Sequence, residues 1–292
     1  MELISNEKST CGCKGVRFCA ACKDSDRVLR LQFRDSEEIG YANYKVFVYN
    51  LKMKNSYSCA HLKLNSSLED IQEAATSTPS DVSTSLAIEG LLLIENFITE
   101  DEETRLMKTI DKVDWALSQS GRRKQDYGPK VNFKHKKVKL QGFAGMPEYA
   151  DFLLNKMSVA SSSLRDYLPL EMCNLEYEDI RQSTIEFHKD DMWIWGNRLI
   201  SINLLSGSVM TMINPEKEFI CFVWMPHLSL FSMADEARYE WKHGVQQHHI
   251  RGRRIALTMR EADKKFQVGG ELYETIGKDL LRICENRVYP SN

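Results

Sequence analysis

The run IEFHKDDMWIWGNRLISINLLS (185–206) is largely apolar near its start and end, yet a histidine, a lysine and two aspartates interrupt it. On an extended strand residues i and i+2 share a face, so His188 and Asp190 point together while Lys189 and Asp191 point elsewhere. Burying such groups is costly unless something answers them. A metal ion would: two imidazoles and one carboxylate form a facial triad suited to non-haem Fe(II), with coordination positions left open. His243, in EARYEWKHGV, is the best-placed third ligand, since it precedes the strand RRIALTMR. On its own, the tripeptide more often marks a histidine satisfied near a turn beside solvated aspartates.

The strand RRIALTMR (253–260) changes that balance. Arg254, Ala256, Thr258 and Arg260 take one face; Ile255, Leu257 and Met259 take the other. One side is apolar core, and the other carries two arginines around a small residue and a hydroxyl. Buried arginine calls for an anion, and its planar fork matches carboxylates. A diacid such as 2-oxoglutarate suits both sets of groups, one end on the metal and the other on arginine. On a sheet edge the same arginines would simply face water. A zinc hydrolase is the nearest competitor at the metal, but hydrolysis needs no resident diacid.

Strands must carry these groups. From about residue 170 the pattern predicts them over 170–177, 183–188, 199–205, 208–213, 219–225, 228–233 and 253–260, punctuated by Gly, Asn, Pro and Asp. Strand-like pieces also stand at 27–33 and 44–50. Thr99 and Glu102 form a capping-box signature for a helix over 100–112. Further helices are expected over 148–158 and 271–284. Helices before many strands, without βαβ alternation, predict an α+β fold: a double-stranded β-helix (jelly-roll) core braced by helices. The domain reading is a cysteine-rich knuckle at 1–25, a strand-containing extension at 26–64, and a Ser/Thr-rich linker at 65–85 with room for a short helix. The main domain is 86–284 and the tail is 285–292.

The triad His188, Asp190 and His243, followed by Arg254, Thr258 and Arg260, resembles the AlkB-type Fe(II)/2-oxoglutarate dioxygenases. The resemblance spans roughly 86–284. The strings LSQSGRRKQDYGPKVNF (117–133) and DDMWIWGNRLISINLLS (190–206), with the N-terminal CGCKGVRFCAAC, narrow it to the AlkB homologue 4 group. It implies that His188, Asp190 and His243 ligate Fe(II), with no catalytic residue beyond these ligands. It implies that Arg254, Thr258 and Arg260 hold 2-oxoglutarate, with Asn174 and Tyr177 of CNLEY also touching it. Two departures stand out. The family's Asn-x-Tyr is here spaced by two residues, and Ala256 replaces an asparagine. The implied reaction is oxidative N-demethylation, releasing succinate, carbon dioxide and formaldehyde. The implied substrate is methyl-lysine on a protein such as actin. Methylated adenine in DNA is the alternative, and a non-catalytic methyl-reading module is the competitor from another class.

The basic segment 120–139 interleaves Tyr127 and Phe133 with eight cations. The resemblance makes it a substrate lid through Arg122, Arg123, Gln125 and Tyr127; a solvated face beside a hairpin is the plainer reading. Trp193 and Trp195 fit either a pocket wall or core. Cys11, Cys13, Cys19 and Cys22 lie within twelve residues, enough thiolates for one tetrahedral zinc. An iron–sulfur site or a redox-labile tail are the other readings.

Net charge is −2 over 292 residues, which gives no global attraction to nucleic acid. The first ten residues lack an apolar signal core, and the longest apolar run is far short of a membrane span. A cytoplasmic and nuclear location, reduced cysteines and no membrane partner are therefore expected. Nothing in the pattern sets the oligomeric state.

Overall fold

The computed structural model describes residues 11–15, 17–30, 40–79 and 81–290. In chain order its strands begin with β1 (Lys45–Asn50), β2 (Asn55–Ser58), β3 (Ser85–Leu86), β4 (Leu91–Ile94), β5 (Ala116–Leu117), β6 (Arg123–Tyr127), β7 (Lys130–Asn132), β8 (Lys137–Lys139) and β9 (Met146–Pro147). Then come β10 (Pro169–Glu178), β11 (Ile185–His188), β12 (Trp195–Leu204), β13 (Ser208–Asn214), β14 (Phe219–Met225), β15 (Leu230–Met233), β16 (Lys242–Val245), β17 (Arg253–Ala262) and β18 (Arg287–Val288).

Two seven-stranded sheets form the jelly roll. One runs β11-β16-β13-β14-β1-β2-β3; the other runs β4-β15-β12-β17-β10-β6-β5. Successive strands cross between the sheets, so β11 and β12 lie in different sheets although six residues separate them. β13 is buried along its whole length and β14 along nearly all of it. Continuous apolar strands of this kind are covered on both faces. Helix Leu68–Thr76 supplies part of that cover, packing over β1 and β14 with Leu68, Ile71 and Ala75 buried. Helix Lys278–Cys284 packs on β10. Each large apolar side chain so buried contributes roughly 1.5–3 kcal/mol. Among the described residues, no helix is long and apolar enough to cross a membrane.

The capping box is present: Thr99 and Glu102 satisfy each other's backbone amides, and helix Glu100–Ile110 buries Leu106 and Ile110. Helix Ala150–Ala160 falls where expected. Four expectations need correction. Residues 26–29 are a helical turn, not a strand, because the Arg27 guanidinium folds back onto the carbonyls of Gly15 and Arg17; residues 31–33 lie outside the described residues. Residue 86 is no break in the core, since β1 pairs in parallel with β14 and the expected linker contributes a packed helix. The segment 120–139 holds strand β6 and the hairpin β7–β8, neither of which is among the expected strands. The last helix begins as a π-helical turn, Tyr273–Gly277.

Candidate active site

The cavity between the sheets takes its walls from both. β11 and β16 pair so that His188 lies directly across from His243, and the ring centroids are 4.5 Å apart. Asp190 lies just beyond the end of β11, and its Oδ2 is 3.3 Å from His243 Nε2. One donor atom from each of the three falls within 4.8 Å of the others. Donors bound at right angles, about 2.1 Å from one ion, stand about 3 Å apart, so this packing suits a shared metal.

Each ligand is oriented by a neighbour. His188 Nδ1 donates to the Glu186 carbonyl at 2.8 Å, which leaves Nε2 with a free lone pair. Burial, then the adjacent His243, pull the His188 pKa down to about 4, so its ring is neutral at pH 7. Burial would raise the Asp190 pKa, but the Arg260 guanidinium and the His243 hydrogen bond outweigh it. They hold the carboxyl well below its ordinary range. Arg260 Nε reaches Asp190 Oδ1 at 2.7 Å, and Nη1 reaches Glu171 at 2.5 Å. The guanidinium lies over Trp195, 5.8 Å from the ring centroid. With those two donors engaged by carboxylates, Arg260 serves first to fix the ligand carboxylate.

Arg254 is arranged differently. It is 1% exposed, its guanidinium lies 4.9 Å from the Tyr177 ring centroid, and Nε donates to Asn203 Oδ1 at 2.6 Å. Among the described residues, Nη1 has no partner. An unanswered buried guanidinium donor is costly, and a carboxylate is the group that fits it. The triad and Arg254 thus supply what a metal-chelated diacid needs at its two ends. Asn203 is held in turn by the carbonyls of Met225 and Pro226. It lies directly across the ladder from Ala256, so the amide that the strand lacks at 256 stands on the next strand.

The remaining site residues divide by strand parity. Thr258 lines the cavity and donates to the Cys173 carbonyl at 2.8 Å. Tyr177 also lines it, but Asn174, three residues earlier, faces the other side of β10. There it bonds Gln125 and Tyr149, and Leu175 takes the wall position. Asn174 thus faces away from the cavity in which the cosubstrate was expected. Three of the four expected lid residues lie on the face of β6 turned away from the cavity. Arg123 pairs with buried Glu176, Gln125 donates to the carbonyls of Ile110 and Val113, and Tyr127 is ladder-paired with Met172. Arg122 is buried against Tyr177. On β6 it is Lys124 and Asp126, an ion pair 2.5 Å apart, that share the face of Cys173 and Leu175. Trp193 packs edge-on to Phe266. The four N-terminal cysteines converge as a second possible metal site.

Sequence reasoning missed Asn203, Glu171 and strand β16. The first two act through cross-strand contacts, which residue spacing does not encode. β16, KHGV, is too short and polar to show alternation.

No family model matches the chain. It is 58% identical to a DNA N6-methyl adenine demethylase of Caenorhabditis elegans, covering 98% of each chain. It is 35% identical to alpha-ketoglutarate-dependent dioxygenase alkB homolog 4 of Homo sapiens, covering 94% of this chain and 93% of that one. Of the solved structures, that of OsALKBH1 matches at a TM-score of 0.45 and 12% identity, over 60% of this chain and all of the other.

Proposed function

The chain belongs to the AlkB family of 2-oxoglutarate-dependent dioxygenases, and on that premise we propose that it demethylates N6-methyladenine in DNA. The chain is an oxidative demethylase by that membership; the base is our reading. The observation that carries it is the whole-length likeness to a relative named for that substrate. This reverses the order reached from sequence, where methyl-lysine on a protein such as actin stood first. Methyl-lysine remains the second reading, favoured by the near-neutral charge of −2.

Iron, 2-oxoglutarate and dioxygen together supply the oxidising power that hydroxylates an N-methyl group, which then leaves as formaldehyde. His188, Asp190 and His243 would hold the iron. Arg254, steadied by Asn203, would take the far carboxylate of the cosubstrate. Leu175, Leu199, Met210, Phe231 and Met233 line the cavity and exclude water. The hairpin β7–β8 leaves β6 beside the iron end of the cavity, where Gly128 lies against Glu171 with no room for a Cβ. Lys130, Lys134, Lys136, Lys137 and Lys139 are on it, and Phe133 is half exposed at its turn. Cations with an aromatic at that place suit a phosphate backbone whose base is turned out into the cavity.

Formaldehyde release tests the reading. The purified chain, with Fe(II) and 2-oxoglutarate, is offered N6-methyladenine oligonucleotides and methyl-lysine peptides in parallel. Release from the oligonucleotide is expected to exceed release from the peptides at matched concentration. Release confined to peptides would overturn the DNA assignment and leave the family assignment standing.

A further inference from the structure

Residues 11–30 bury little apolar surface; among those described, Cys19 and Val28 are the buried hydrophobic positions. So short a segment needs another source of order. The Sγ atoms of Cys11, Cys13, Cys19 and Cys22 all lie within 4.8 Å of one another, and those of Cys19 and Cys22 are 3.9 Å apart. Four thiolates bound about 2.3 Å from a tetrahedral ion stand about 3.8 Å apart. A disulfide would bring two sulfurs to about 2.05 Å, and none of the four cysteines is in a disulfide. Arg27 closes the knuckle: its Nη1 donates to the carbonyls of Gly15 and Arg17, and Nη2 to Cys22 Sγ at 3.4 Å.

The knuckle also touches Ser120 and Glu186, two residues before His188. The Ser120 amide donates to Cys13 Sγ at 3.2 Å, and the Ser120 hydroxyl donates to the Glu186 carboxylate at 2.6 Å. Arg17, within the knuckle, pairs with the same carboxylate at 3.2 Å. The Glu186 carbonyl is the acceptor that sets the His188 ring. Gly12 lies against the Ser118 carbonyl so closely that a Cβ would clash at 2.7 Å.

We propose that Cys11, Cys13, Cys19 and Cys22 bind one structural zinc ion, and that the knuckle so ordered braces strand β11, and with it His188, through Ser120, Arg17 and Glu186. Four soft thiolates in a closed tetrahedron suit zinc and leave no open position for chemistry. Glu186 is an outer partner of a metal ligand, and such partners set ligand orientation and affinity.

The zinc claim is tested on the full-length chain by elemental analysis after purification without added metal. One equivalent of zinc per chain is expected, retained in a His188→Ala/Asp190→Ala double variant and lost in Cys13→Ser or Cys19→Ser. No zinc, zinc that leaves with the triad variant, or iron with acid-labile sulfide at the cysteines would each overturn it. If the cysteine variants fail to fold, cobalt(II) exchange into the wild-type chain decides. Intense sulfur-to-cobalt charge transfer supports the site, and its absence refutes it. The bracing claim rests on the triad holding iron; the zinc count does not, so the two readings fail separately. Ser120→Ala is expected to keep its zinc while weakening Fe(II) binding at the triad by roughly tenfold, read by anaerobic titration rather than turnover. Unchanged iron affinity would end the bracing claim.

Discussion

Arg254 and Arg260 stand on one face of one strand, yet the fold gives them different work. Arg260 is committed to Asp190 and Glu171, whereas Arg254 keeps a donor without a partner among the described residues. Asn203 is what aims Arg254. A hydrogen bond to a charged group contributes about 1.5–3 kcal/mol. Asn203→Ala is therefore expected to weaken 2-oxoglutarate binding by roughly 10- to 100-fold, with Fe(II) affinity little changed. Equilibrium binding of 2-oxoglutarate to the anaerobic Fe(II) protein checks this, and undiminished affinity would remove Asn203 from the account. At this scale the convergence of the triad and the shared face of the two arginines were legible, because strand parity gives both; the different partners of Arg260 were not. Asn174 turns away from the cavity because a three-residue spacing to Tyr177 puts the two on opposite faces of β10.

Among elements, the arrangement depends on how β6, β10 and β17 are tied together. Glu176 on β10 has no exposed surface, and it accepts from Arg123 on β6, Arg253 on β17 and Arg181. Burial would raise its pKa, but the hydrogen bonds from Arg123 and Arg253 prevail and lower it. Removing one partner from a buried ion network leaves the others uncompensated, at about 3–5 kcal/mol. Glu176→Gln should lower the urea midpoint accordingly; an unchanged midpoint would show the network to be dispensable. Thr99→Ala should cost about 1 kcal/mol through the lost cap, seen in the same measurement. Strands with alternating or continuous apolar runs were legible, as was the capped helix. β6 was not, because its register, not its composition, puts Lys124 and Asp126 rather than Arg123 and Gln125 on the cavity face.

For the whole molecule, the two sheets were readable in outline, but the place of residues 45–86 was not. β1 joins β14 across more than 160 residues of chain, and long-range parallel pairing leaves no local trace. His249 stabilises that assembly in a pH-dependent way. It is buried, donates through Nε2 to the Ser66 carbonyl, and is drawn down to about 4 by burial and then by His248. The unfolded chain takes up a proton near pH 6.5, whereas the folded chain refuses it until near pH 4. The contribution of His249 is therefore complete above about pH 6.5 and is lost as pH falls, by about 3 kcal/mol once pH 4 is reached. Urea unfolding at pH 7 and pH 4.5 should show at least that loss, and His249→Gln should reduce it without abolishing it, because His188 is drawn down to about 4 as well. An equal loss in the variant would place the sensitivity elsewhere.

All of this depends on side chains 188, 190 and 243 gathering one Fe(II) beside a cosubstrate anchored by Arg254. Anaerobic titration of the full-length chain with Fe(II) and 2-oxoglutarate reads that directly through the visible metal-to-ligand charge-transfer band. The band should saturate at one iron per chain, vanish in His188→Ala and Asp190→Ala, and require far more 2-oxoglutarate in Arg254→Leu. A wild-type chain that gives no band, or a band indifferent to His188 and Asp190, would contradict the assignment.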